Sequence, residues 1–165
     1  MTEHGLPYRK HIRLRDFTYR DPGAYFVTIC VLNSRCLFGE IENDEMILND
    51  FGRIVDRAWR GLRNRWPGVT IDDYHVVMPN HVHGVVVIED VPRDSKVPRL
   101  GDIVARFKAN VTSTARRELL IFDSQIWLQR FNDRVVRDEA ELLRIRQYIA
   151  NNPAQWSEDE YYGLR

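Results

Sequence analysis

The spacing of apolar positions changes several times along the chain, and each change marks an element. Residues 24–33, AYFVTICVLN, are β-branched and aromatic and follow the turn signal Asp21-Pro22-Gly23, which predicts a first strand. A short second strand or hairpin arm is expected at 36–41, CLFGEI. From Asn49, a candidate cap, the period becomes helical: Phe51, Ile54, Val55, Ala58 and Leu62 share one face, and Trp66-Pro67-Gly68 ends the amphipathic helix. Two strands over about 69–78 and 81–89 meet at Met78-Pro79-Asn80, which is either a tight hairpin or a kink. A polar loop over 90–99 precedes a second helix at 100–119, with Ile103, Val104, Phe107 and Val111 inward and Arg106, Lys108 and Arg116 or Arg117 toward solvent. A strand within 126–136 follows. The last helix starts after Asp138, carries Leu142, Leu143, Ile145 and Ile149 as its apolar stripe, and ends before Pro153. The order β(β)αββαβα predicts an α+β sandwich, ferredoxin-like or RNA-recognition-like, with a mostly antiparallel sheet and helices packed on one face.

Composition narrows the class without naming a function. A chain of 165 residues with 44% hydrophobic and 29% charged residues fits one globular domain over 1–165. No apolar run reaches the roughly eighteen residues of a membrane helix, and Met1 to Arg15 has no apolar centre, so a cytoplasmic protein without membrane partners is expected. Cys30 and Cys36 lack zinc-type spacing and read as ordinary thiols. The net charge of zero argues against a bulk electrostatic grip on nucleic acid, but the charge is uneven. Residues 91–137 hold ten Lys/Arg against five Asp/Glu, whereas 138–165 hold three against six. A basic arm at 1–20 and the 91–137 block can face a polyanion or simply solvent, and 157–165 form an acidic tail.

Candidate chemistry lies in 81–83 and 148–152. Side chains alternate along a strand, so His81 and His83 project to the same face and can supply two nitrogen ligands to a divalent metal. Tyr148 and Asn152 are four apart on a helix and also share a face, where an amide oxygen can ligate a hard cation beside a phenol. The alternative is structural: Tyr148 as a core aromatic and Asn152 as a helix cap.

The pairing of MPNHVHGVVVI with YIANNP resembles the single-tyrosine HUH transposases of the IS200-like family, in particular the REP-associated tyrosine transposases. The stretches IRLRDFTYRDPGAYFVTICVLNSRCLFGEI, RFKANVTSTAR and RFNDRVVRDEAELLRIRQYIANNP extend the likeness over about residues 10–156. The resemblance implies an antiparallel α/β sandwich, with His81 and His83 as metal ligands, Asn152 as third ligand and Tyr148 as nucleophile. It also implies Mg²⁺ or Mn²⁺ as cofactor and a 5′-phosphotyrosine intermediate in the cutting and rejoining of single-stranded DNA at hairpin-forming repetitive palindromes. Lys108 matches a basic position of the family, and Arg106, Arg116, Arg117, Arg130 and Arg134 are further candidates for DNA phosphates. Arg13 and Arg15, with Arg9 and Lys10, are candidates for an arm against the stem. A monomer or homodimer is expected. The competing expectation is a domesticated hairpin-DNA-binding protein that cuts little or nothing. The acidic tail lacks the AGL continuation common in that family and is expected either to fold over the DNA surface or to be disordered.

Overall fold

The structure is a computed structural model and describes residues 21–92, 95–122 and 125–162. The basic arm, with Arg9, Lys10, Arg13 and Arg15, lies outside the described residues. Among the described residues, six strands and three α-helices follow in the order β1 (Gly23–Cys30), β2 (Gly39–Glu42), β3 (Glu45–Leu48), α1 (Asp50–Arg60), β4 (Val69–Val77), β5 (His81–Ile88), α2 (Leu100–Leu119), β6 (Asn132–Val136) and α3 (Glu139–Asn151). A four-stranded sheet runs β4-β5-β1-β6, antiparallel throughout. With α1 and α2 as crossovers, this is the βαββαβ arrangement of the ferredoxin-like sandwich.

Strand alternation divides the sheet into two unlike faces. On one, Tyr25, Val27 and Ile29 of β1 and Val82, Val86 and Ile88 of β5 pack against Val55 and Trp59 of α1 and Ile103, Phe107 and Val111 of α2. Trp59 packs against β5 at Gly84, where an added Cβ would stand 2.2 Å from the Trp59 ring carbon Cζ2. Only glycine leaves room for that indole. On the opposite face, Val85 meets Ile145 and Ile149 of α3, with Phe26, Val76, Val87 and Leu142 around them. Helices therefore cover both faces. The expectation of helices on one face fails because α3 follows the last strand and returns across the other side.

Three local expectations are revised. The hairpin arm expected at 36–41 starts only at Gly39 and is one half of a separate β2–β3 ribbon, closed by Asn43 and Asp44 with φ of 50° and 64°. That is the left-handed pair a two-residue hairpin loop requires. Helix α1 ends at its Gly61 cap, ahead of Trp66, while Asn49 caps its start by accepting from the Gly52 amide. Leu143 is 55% exposed and does not belong to the α3 stripe. Met78-Pro79-Asn80 is a hairpin, since Val77 pairs directly with Val82. Helix α2 runs over 100–119 as expected, and no helix among the described residues is long and apolar enough to cross a membrane.

Candidate active site

The site forms where β1 ends and β5 and β6 begin, beneath the C-terminal end of α3. His81 and His83 are both buried, and their Nε2 atoms point at each other across 3.0 Å. The Tyr148 hydroxyl lies 3.4 Å from His83 Nε2, and Tyr148 as a whole residue is 38% exposed. Phe26 stacks on the His83 ring at 5.3 Å and meets Tyr148 edge-on at 6.1 Å, so one aromatic orients both groups.

Asn152 follows the last turn of α3. Its Nδ2 donates to Asp159 at 3.0 Å, and its Oδ1 is buried without a hydrogen-bond partner among the described residues. A buried amide oxygen left unpaired is costly, and a cation ligated there would satisfy it. Asn152 also caps the helix, so the structural and functional readings of this residue coexist.

The tail supplies a donor that the sequence reading missed. After a 3-10 turn at Pro153–Glu158 the chain folds back, and Asp159 Oδ2 comes within 3.9 Å of His81 Nε2. His81, His83 and Asp159 together form a donor set able to hold a metal ion. Two imidazoles, one carboxylate and one amide oxygen suit a borderline-to-hard divalent ion. The acidic run 158–160 shortly after Asn152 was the available signal, but nothing in sequence indicates that the chain reverses there.

Burial governs the charge state of the cluster. It lowers His81 to about 3 and holds His83 well below its ordinary value, with the His81 charge adding to the latter. Both rings are thus neutral, and the His81–Asp159 contact is not an ion pair despite its distance. Burial also raises Asp159. Tyr148 is pushed up to about 12 by burial first and by Asp159 and Glu160 next. Tyr161 closes the far side, its ring 4.8 Å from His81 and its hydroxyl bonded to Asn132 Nδ2 at 2.8 Å.

The basic candidates divide between regions. Arg106, Arg116 and Arg117 stand exposed on α2, which covers the sheet face opposite Tyr148. Arg116 and Arg117 line an open depression of about 550 Å³ with Lys108, Ala109, Thr112 and Ser113. Lys108 is less available than a solvent-facing reading implies: its ammonium donates to the Leu128 and Gln129 carbonyls at 2.8 and 3.3 Å, and burial lowers its pKa. Arg130 is exposed on the loop into β6, and Arg134 is bonded to Glu141 of α3 at 3.3 Å. Cys30, beside His81 across the β1–β5 pair, keeps its thiol protonated, burial pushing it up to about 12.

An uncharacterized protein of Haemophilus influenzae strain Rd is 41% identical over 174 residues, spanning 96% of this chain and 95% of its own length. The chain belongs to that protein's family. No family model matches the sequence. Among solved structures, the REP-associated tyrosine transposase bound to a REP hairpin superposes with a TM-score of 0.60 and 19% identity, over 94% of this chain and 74% of its own. The fold is that of the REP-associated tyrosine transposase. A candidate transposase from Deinococcus radiodurans R1 shares the fold at a TM-score of 0.50 and 15% identity, over 83% of this chain and 94% of its own.

Proposed function

We propose that the chain is a metal-dependent single-stranded DNA endonuclease and strand transferase, a transposase that works on hairpin-forming repeats through a tyrosine nucleophile. The observation that carries this reading is the Tyr148 hydroxyl set 3.4 Å from His83 Nε2, which itself faces His81 Nε2, together with an Asn152 amide oxygen buried without a partner among the described residues. The hairpin held by the structural neighbour supports folded single-stranded DNA as the partner.

His81, His83 and Asn152 would hold Mn²⁺ or Mg²⁺, with the Asp159 carboxylate at hand. When bound, such an ion neutralises charge on a scissile phosphate and eases ionisation of a nearby hydroxyl. Tyr148 needs that help, because a phenol at about 12 is ionised to only roughly one part in 10⁵ at neutral pH. The Tyr148 oxygen forms a bond to phosphorus as the bond from phosphorus to the 3′ oxygen breaks. The departing oxygen takes up a proton, while the phenol proton has passed to solvent. The product is a 5′-phosphotyrosine with a free 3′-hydroxyl, and attack by another 3′-hydroxyl reverses the step and rejoins the strand. Arg106, Arg116 and Arg117, on the face away from Tyr148, would serve a duplex stem rather than the cut phosphate. Arg134, paired with Phe26 and bonded to Glu141 of α3, is the candidate on the side of Tyr148, and Arg130 is an exposed candidate just before that strand.

A second reading, a hairpin-DNA-binding protein that cuts little, is favoured by one feature. The Asp159 carboxylate sits beside His81 and is bonded to Asn152, where it would oppose an approaching phosphate. Labelled single-stranded hairpin oligonucleotides incubated with Mn²⁺, Mg²⁺ or EDTA and run on a denaturing protein gel separate the two. A metal-dependent protein–DNA adduct, absent in Tyr148→Phe while hairpin binding persists, is expected. An adduct that survives in Tyr148→Phe would refute the nucleophile assignment, and binding without any cutting would select the second reading.

A further inference from the structure

We propose that Asn80 and Thr28 are positioning residues that determine which ring nitrogen of each histidine faces the metal, Asn80 as a fixed clamp on His81 and Thr28 as a reversible one on His83. The proposal rests on the metal-dependent reading above and adds two residues to it.

Asn80 is buried at the β4–β5 hairpin, immediately before His81. Its Nδ2 donates to the Ser34 carbonyl at 3.1 Å and to the Tyr161 carbonyl at 2.7 Å. Turning the amide over would set its oxygen against two carbonyl oxygens, so its orientation is fixed and Oδ1 acts only as an acceptor. His81 Nδ1, 2.8 Å from that oxygen, must carry the ring hydrogen. The lone pair of His81 is thereby committed to Nε2, on the metal side, before any ion arrives. Because Asn80 also grips Tyr161, the same amide ties the returning tail to the first ligand.

His83 is held differently. Its Nδ1 lies 2.8 Å from Thr28 Oγ1, and Thr28 is buried on the neighbouring strand directly opposite it. A hydroxyl can donate or accept, so it tolerates either ring tautomer. With no ion between them, two lone pairs at 3.0 Å would repel, so the hydrogen of His83 sits on Nε2 and is donated to His81 Nε2. Thr28 then donates to Nδ1. Seating a cation requires the lone pair of His83 at Nε2: that hydrogen leaves as a proton, another is taken up at Nδ1, and the ring stays neutral. The Thr28 hydroxyl turns about its Cβ–Oγ1 bond and accepts from Nδ1. A valine of the same shape has no acceptor for that hydrogen, whereas a serine does. Outer partners of metal-bound histidines commonly change metal affinity 10- to 100-fold.

The test uses the full chain. Mn²⁺ binding is measured by titration calorimetry for the parent, Thr28→Val and Thr28→Ser, with thermal melts to show that each variant is folded. Histidine ring ¹⁵N spectra are recorded in EDTA and with Zn²⁺ as a diamagnetic probe. The expected result is binding about tenfold to a hundredfold weaker in Thr28→Val and within about threefold of the parent in Thr28→Ser. In EDTA the spectra should show His81 protonated at Nδ1 and His83 at Nε2, with His83 converting to Nδ1 on Zn²⁺. Parent-like affinity in a folded Thr28→Val, or His83 already protonated at Nδ1 in EDTA, overturns the proposal while leaving the metal-dependent reading intact. A parent that binds neither Mn²⁺ nor Zn²⁺ removes both.

Discussion

The two faces of the sheet are made by the same strands and bury different chemistry. Beneath α1 and α2 the strands present Tyr25, Val27, Ile29, Val82 and Val86 to Trp59 and Phe107, and the face closes by shape. Beneath α3 the alternate residues of those strands, Thr28, His81 and His83, are equally buried, but they close a polar cluster with Asn152 beside a small apolar patch at Val85, Ile145 and Ile149. Burying those polar groups costs free energy that an apolar face would not incur. A sheet stable through one face alone can tolerate a costly arrangement on the other. Mutations on the two sides should therefore separate, chemistry being lost on one and stability on the other.

The largest expected effect is on chemistry. His83→Ala removes a proposed ligand, a neighbour of Tyr148 and the ring that Phe26 stacks on, so the proposed metal-dependent cutting of a saturating hairpin should fall by orders of magnitude. Undiminished cutting in a gel assay would remove the metal site from the mechanism. Next comes Trp59→Ala, which empties the fully buried indole site over Gly84 and should cost about 3–5 kcal/mol in urea unfolding. Gly84→Ala attacks the same contact from the other side by driving a methyl into the ring, at about 1–3 kcal/mol. If Trp59→Ala keeps cutting at temperatures where it is still folded, the faces are separable. Equal loss of cutting and stability would show that they are not.

Much of this division was readable from sequence, because it follows from alternation. The pattern His81-Val82-His83-Gly84-Val85 places both histidines on one face and Val82 on the other, and the helical spacing of Tyr148 and Asn152 places that pair together. What could not be read is the side of the sheet that α3 would cover, since an apolar stripe fits either. Asp159 was hidden for a related reason: a carboxylate in an acidic run looks solvated until the 3-10 turn at Pro153–Glu158 reverses the chain and buries it. Thr28 and Asn80 were passed over because a threonine in a strand and an asparagine in a turn have sufficient local explanations.

The tail offers a finer test. Asp159→Asn keeps the shape and removes a charge that raises the Tyr148 pKa, so the phenol should titrate below about 12, though still above its ordinary value because burial is the larger cause. Ultraviolet titration against Tyr148→Phe isolates that phenol. If Asp159 acts chiefly by filling the place of a phosphate oxygen, the same variant should also form the DNA adduct several-fold faster. If it acts chiefly as a ligand, Mn²⁺ should bind more weakly and the adduct should form more slowly.

The smallest effect per step is the acid dependence of stability, and it bears most directly on the cost of the polar face. His81, lowered to about 3 by burial, and His83, lowered for the same reason, stay neutral in the folded chain, whereas in the unfolded chain each takes up a proton near pH 6.5. Folded-state pKa values below the unfolded ones mean that their contribution is fully present above pH 6.5 and is lost as pH falls below it. Each ring should remove up to about 1.4 kcal/mol per pH unit between pH 6.5 and the folded pKa, in EDTA so that no metal competes. Urea midpoints at pH 7, 6 and 5 measure the slope, and His81→Gln should reduce it by about half if both rings contribute equally. An unchanged slope in that variant would mean that His81 is protonated in the folded state, contrary to the lone pair assigned to its Nε2. Leu143→Gln, on the exposed side of α3, is the matching control: it should shift the midpoints by no more than about 0.5 kcal/mol and leave the slope alone.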